Sequence, residues 1–198
     1  MNLEKMYEIQ AGLKARIEKE HPFKDGYDEL ILRPTKKLLA FLVELGECAN
    51  EHRGFKFWSK DQNPRYETKC HSCKGIGSFN GEESCLYCSG TGIQERPLIE
   101  EYVDGLHFLL ELGIDKNQRI IEPFTTVISD DKDIDYQFIG IYGAIMDYYR
   151  SGGNIRSYKK LFRLYFGLGE MLGFTPEQIE QAYYEKNAIN ILRQESGY

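Results

Sequence analysis

Ala40-Phe41-Leu42-Val43-Glu44-Leu45-Gly46-Glu47-Cys48-Ala49-Asn50-Glu51 is the stretch on which the fold turns. No proline interrupts it and good helix formers dominate, so it predicts a helix. Apolar residues occupy most of its circumference, the pattern of a helix buried on several sides. Glu44 and Glu47 nevertheless sit inside the apolar run, one turn apart and on one face. An ionised carboxylate in such surroundings is costly unless a cation or hydrogen bonds compensate. A second stretch repeats the arrangement: Leu98-Ile99-Glu100-Glu101-Tyr102-Val103-Asp104-Gly105-Leu106-His107-Phe108-Leu109-Leu110. There Glu101 and Asp104 have the same spacing, with Leu98, Phe108 and Leu112 around Glu101. Either stretch alone also fits an ordinary amphipathic helix with solvated acids. Two helices that each hide an acidic pair predict a nest of four carboxylates, which suits a hard cation such as Mg2+.

The remainder of the composition narrows the class. The 198 residues suit one domain, or one domain with a small insert. With 41% apolar and 28% charged residues the chain reads as soluble and globular. A net charge of -6 argues against broad, unspecific nucleic-acid binding. No apolar run reaches the ~18 residues of a membrane span, and Met1-Asn2-Leu3-Glu4-Lys5-Met6 lacks the regions of a signal peptide. The expected compartment is the cytoplasm, where five cysteines are metal ligands or core residues rather than disulfides.

Outward from the acidic helices, helical periodicity covers 3–20, and Pro22 and Gly26 break it. The first acidic helix is predicted over 35–54, and the second opens at Pro97 and closes near Gly113. A mixed connection with one short helix is expected over 115–135, ending in the acidic run Asp130-Asp131-Lys132-Asp133. Helices follow over 134–150, 155–172 and 176–194, the last opened by the capping box Thr175-Pro176-Glu177-Gln178. No convincing β alternation occurs, so the fold class is all-α. Phe55-Lys56-Phe57-Trp58-Ser59-Lys60 has two readings: a surface that stacks on a base and holds phosphate, or a core plug with solvated lysines.

Between the acidic helices lies a segment of different character, predicted as an insert over 66–94. Cys70-His71-Ser72-Cys73-Lys74-Gly75-Ile76-Gly77 and Cys85-Leu86-Tyr87-Cys88-Ser89-Gly90-Thr91-Gly92 are both C-x-x-C-x-G-x-G. Each pair of thiolates can reach one ion, and the glycines permit the tight turn that follows. Cys70, Cys73, Cys85 and Cys88 therefore predict a closed structural zinc site. Paired redox C-x-x-C motifs are the alternative. The repeat resembles the zinc modules of DnaJ-type chaperones, but the only His-Pro of the chain, His21-Pro22, is followed by Phe23 and not by aspartate. A role for the insert in binding protein or nucleic acid stays open.

On the last helix Lys186, Asn190 and Arg193 fall at i, i+4 and i+7, one face that could hold a polyphosphate opposite the carboxylates. A solvated terminal helix is the plainer reading.

At this point the sequence resembles the dimeric all-α dUTPases of the MazG-like pyrophosphohydrolase superfamily. The resemblance is carried by Leu-Val-Glu-Leu-Gly-Glu at 42–47, Phe-Lys-Phe-Trp at 55–58 and Glu-Glu-Tyr-Val-Asp-Gly-Leu-His-Phe at 100–108. It resumes with Gly-Leu-Gly-Glu-Met-Leu-Gly-Phe-Thr at 167–175, Tyr-Glu-Lys-Asn at 184–187 and the terminal Gly-Tyr. It implies a homodimer in the cytoplasm of a bacterium, or one encoded by a phage, that hydrolyses dUTP and dUDP to dUMP with Mg2+. By the same resemblance Glu44, Glu47, Glu101 and Asp104 would bind the metal, and Glu47 would also activate water. Lys186, Asn190 and Arg193 would neutralise the phosphates, and Gln10, Trp58 and Tyr198 would contact substrate. Lys14 stands where an acidic or amide side chain is expected. A related pyrimidine triphosphate such as dCTP, or a regulatory module acting through the insert, are the alternative functions.

Overall fold

The computed structural model describes residues 1–22, 26, 32–79, 81, 83–130 and 133–197. Among them run α1 (Leu3–Glu20), α2 (Arg33–His52), α3 (Pro97–Asp115), α4 (Ile134–Arg150), α5 (Ile155–Met171) and α6 (Pro176–Glu195), so the fold is all-α. The helix starts are written locally. The Asn2 side chain accepts from the Lys5 amide, and that of Asn154 from Ser157. Thr175 and Gln178 cap each other reciprocally at α6.

One expectation needs correction. The connection between α3 and α4 forms no helix among its described residues. Its backbone is satisfied from outside: the Val127 amide donates to the Arg163 carbonyl, and Gln137 Nε2 donates to the Val127 carbonyl. Strand structure also exists, at the foot of the insert. There β1 (Thr68–Lys69) pairs antiparallel with β2 (Ile93–Glu95), Thr68 opposite Glu95 and Lys69 opposite Ile93.

α3 is the central helix, packed against α1, α2, α5 and α6, which is why it is apolar almost all round. α2 runs antiparallel beside it. At one end of this pair Arg65 joins both helices, its amide donating to the Glu51 carbonyl (3.0 Å) and its carbonyl accepting from the Leu98 amide (3.1 Å). At the other end Lys37 of α2, buried, sits 2.7 Å from both Glu111 and Asp115 of α3.

The helices are fitted together by a recurring contact. A tyrosine hydroxyl enters the space left by a glycine on the facing helix and donates to a carbonyl about one turn back. Tyr142 does this at Gly46, reaching the Leu42 carbonyl at 3.1 Å. Tyr165 does it at Gly105, reaching Tyr102 at 2.6 Å, and Tyr158 at Gly113, reaching Leu109 at 3.1 Å. Tyr102 returns the contact at Gly169, reaching the Tyr165 carbonyl at 3.3 Å, and the rings of Tyr102 and Tyr165 stack with centroids 4.9 Å apart. No helix among the described residues is long and apolar enough to cross a membrane.

Candidate active site

The antiparallel pairing of α2 and α3 turns Glu44 towards Glu101 and Asp104, and one oxygen of each lies within 4.8 Å of the other two. All three residues are half-buried. Burial pushes Glu44 up to about 7, and the charges of Asp104 and Glu47 add to it. Glu101 is pushed to about 7 by the same causes. Asp104 is raised by burial too, held back by Lys186, whose Nζ stands 2.6 Å from its carboxylate. Glu47 lies outside this close group, exposed at the rim, although its charge raises both glutamates. The expected nest of four is thus three close carboxylates and one outlier.

Protonation is one relief for crowded acids; a divalent cation is the other. Neighbouring ligands of an octahedral ion at ~2.0–2.1 Å stand about 2.9 Å apart and opposite ones about 4 Å, so the three oxygens must draw in from separations of up to 4.8 Å to share one Mg2+. The donor set, all carboxylate oxygen, fits that ion.

On α6, Asn190 is half-buried, and Arg193, although exposed, is close enough for its charge to lower Asp104. Gln10 is buried and its amide is occupied: Nε2 donates to Glu111 (3.1 Å) and Oε1 accepts from Tyr183 (2.8 Å). Lys14 pairs with Glu18 (2.6 Å) and lies 3.4 Å from Asp115. The core-plug reading of the aromatic segment fails, because Phe57 is 84% and Trp58 66% exposed. Those two rings meet edge to face, 5.0 Å apart. Tyr198 lies outside the described residues.

Two residues were missed. His107, one turn after Asp104, stacks on Tyr183 with centroids 4.2 Å apart. Its Nδ1 lies 2.7 Å from the Val103 carbonyl; a carbonyl only accepts, so Nδ1 carries the hydrogen. Burial drives its pKa down to about 4, leaving a neutral ring. His107 Nε2 and Asn187 Nδ2 are buried with no protein partner, an unusual state for polar atoms. The signal was available: His107 stands in the same stretch as Asp104, and Asn187 follows Lys186.

The four cysteines form a second cluster with its own small core. Sγ atoms are 3.9 Å apart for Cys70 and Cys85 and 3.7 Å for Cys73 and Cys88, and all four lie within 4.8 Å of one another. Sulfurs ~2.3 Å from a tetrahedral zinc stand about 3.8 Å apart, whereas a disulfide needs ~2.05 Å. The donor set fits zinc. In each repeat the last glycine, Gly77 or Gly92, donates its amide to Cys73 or Cys88 Sγ at 3.2 Å. Burial opposes ionisation of Cys73, but the amides of Gly77 and Gly75 together with the Cys88 and Cys70 thiols hold it below its usual range. His71 is not part of the cluster: it bonds Gln94 at 2.8 Å and packs on Tyr87.

Helices that gather half-buried acids beside a lysine define an all-α protein suited to an anionic ligand carried with a hard cation. A family profile described as dUTPase matches residues 2–70 and 89–198, and the chain belongs to that family of dUTP diphosphatases. The unmatched residues, 71–88, carry three of the four clustered cysteines. No curated protein and no solved structure matches the chain.

Proposed function

We propose that this protein hydrolyses dUTP, and dUDP, to dUMP in a Mg2+-dependent reaction that limits uracil incorporation into DNA. The observation that carries the reading is the convergence of Glu44, Glu101 and Asp104 beside Lys186. A Mg2+ ion held there would neutralise charge on the phosphates and lower the pKa of water. Glu44, Glu101 and Asp104 would hold the ion. Glu47, facing solvent next to them, completes the set and takes the proton of the attacking water. Water adds to phosphorus and the α–β bridging bond breaks, so dUTP releases pyrophosphate and dUDP releases phosphate. Lys186, 2.6 Å from Asp104, would turn to the phosphates, and Asn190 and Arg193 would support the developing charge.

Trp58 supplies an exposed indole to pack on the base. His107 Nε2 and Asn187 Nδ2 offer an acceptor and a donor that the protein leaves unused. Gln10 reads the base only after exchanging Glu111 or Tyr183 for it. Residues 1–198 make one catalytic domain in which 66–94 fold around a structural zinc held by Cys70, Cys73, Cys85 and Cys88. The molecule works as a cytoplasmic homodimer.

The test is release of phosphate or pyrophosphate from dUTP, dUDP, dCTP, dTTP and UTP, with Mg2+ or EDTA, by the protein and its Glu47→Gln variant. Magnesium-dependent turnover of dUTP that falls by ~10²-fold or more in the variant is expected. Preference for dCTP would overturn the base assignment, and inactivity towards every nucleotide by folded, zinc-loaded protein would overturn the enzyme reading.

A further inference from the structure

Each acidic helix carries a glycine beside its acids, and each glycine is filled from behind. Gly46 lies between Glu44 and Glu47 on α2, and a Cβ there would stand 3.1 Å from the Tyr142 hydroxyl of α4. Gly105 follows Asp104 on α3, and a Cβ there would collide with the Tyr165 hydroxyl of α5. The two hydroxyls donate to the Leu42 carbonyl (3.1 Å) and to the Tyr102 carbonyl (2.6 Å). These carbonyls belong to the turns that hold Glu44 and Glu101. Tyr165 is fully buried and its ring also touches Phe41 of α2, with centroids 5.4 Å apart.

A small rotation matters here. Side-chain tips lie about 5–6 Å from a helix axis, so turning a helix by roughly 20° moves a carboxylate by on the order of 2 Å. Metal–ligand distances tolerate only about 0.2 Å. Apolar contact is non-directional, so it does not by itself fix the rotation of a helix about its own axis. A hydroxyl seated in a one-residue gap and bonded to one carbonyl removes that freedom.

We infer that Tyr142 and Tyr165 are positioning residues, one for each acidic helix, that set the rotation of Glu44 and of Glu101 with Asp104. This rests on the reading of those acids as the metal site. Both hydroxyls are spent on helix carbonyls, so the role assigned to them runs through the acids and not through substrate. Tyr158 supplies the control, since it makes the same contact at Gly113, eight residues beyond Gly105 and about 12 Å along α3.

The experiment compares Tyr142→Phe, Tyr165→Phe and Tyr158→Phe. Each keeps the ring and removes the hydroxyl. Binding of Mn2+, a paramagnetic probe for the magnesium site, is followed by electron paramagnetic resonance without nucleotide. Tyr142→Phe and Tyr165→Phe should bind Mn2+ roughly 10-fold more weakly, the effect typical of losing a group that orients metal ligands. Their kcat at saturating metal should change little, so the loss appears in the metal requirement. Tyr158→Phe, which also loses the bond between its hydroxyl and that of Tyr7 (2.9 Å), should lose at least as much thermal stability and keep Mn2+ affinity within about twofold of the parent. Equal affinity in all three variants would overturn the inference and leave the dUTPase reading intact. If the parent neither binds Mn2+ nor turns over dUTP, the functional reading fails, and a crystal structure of Tyr165→Phe then decides the positioning role. Separation of the Glu44, Glu101 and Asp104 oxygens beyond 4.8 Å would support it, and an unchanged cluster would refute it.

Discussion

A buried imidazole with one nitrogen bonded and the other bare has unusual acid–base behaviour, and His107 is such a ring. Its pKa of about 4 in the fold lies well below the ~6.5 of a free histidine. The sign follows. Above about pH 6.5 the ring is neutral folded or unfolded; as the pH falls towards 4 the unfolded chain takes up a proton that the folded chain refuses. Stability is therefore lost on acidification, by at most on the order of 3 kcal/mol from this group. In the NMR spectrum the His107 ring proton should stay at its neutral position from pH 8 to pH 5; a midpoint near 6.5 would contradict the buried environment. The acids beside it were legible because two residues at i and i+3 must share a helix face. Gln10 was legible as an amide on α1. Its engagement with Glu111 and Tyr183 was not, because those partners are 101 and 173 residues away.

Among the helices, glycine has two opposite meanings that sequence alone does not separate. Gly12 in α1 has nothing within 4 Å of where a Cβ would be, so Gly12→Ala should stabilise by roughly 0.5–1 kcal/mol through helix propensity. Gly113 in α3 faces the Tyr158 phenol, and Gly113→Ala should destabilise by about 1–3 kcal/mol despite the same propensity gain. Urea denaturation midpoints moving in opposite directions for the two variants would verify this; a shared direction would contradict it. Helix existence was legible from periodicity and helix ends from capping residues such as Thr175. The path from α3 to α4 was not, because its hydrogen bonds run to α5 and to Gln137, which no local pattern encodes.

The whole molecule leaves apolar groups uncovered on two helices that pack together. Leu39 of α2 is 61% and Ile139 of α4 68% exposed, with Val43 and Tyr136 close by in sequence and also exposed. Burying such side chains is worth about 1.5–3 kcal/mol each, which gives the proposed homodimer a surface. The protein should sediment at twice the chain mass, and Leu39→Glu with Ile139→Glu should halve it; a double variant that stays dimeric would move the interface elsewhere. The repeat of cysteines was legible as a cluster of its own. Its seating on the body was not legible, because it depends on Arg65 meeting Glu51 and Leu98.

That seating has a thermodynamic consequence. A loop whose ends are already pinned side by side adds closure entropy only as the logarithm of its length, about 0.6 kcal/mol for each doubling. The 18 residues from 71 to 88 that the family profile passes over are carried beyond two strands whose ends Arg65 and Leu98 hold together. The two acidic helices meet a hairpin whose base Arg65 ties to Glu51 and Leu98, whatever is threaded through its far end. The chain can gain, shorten or exchange sequence at that point while the carboxylates keep their spacing.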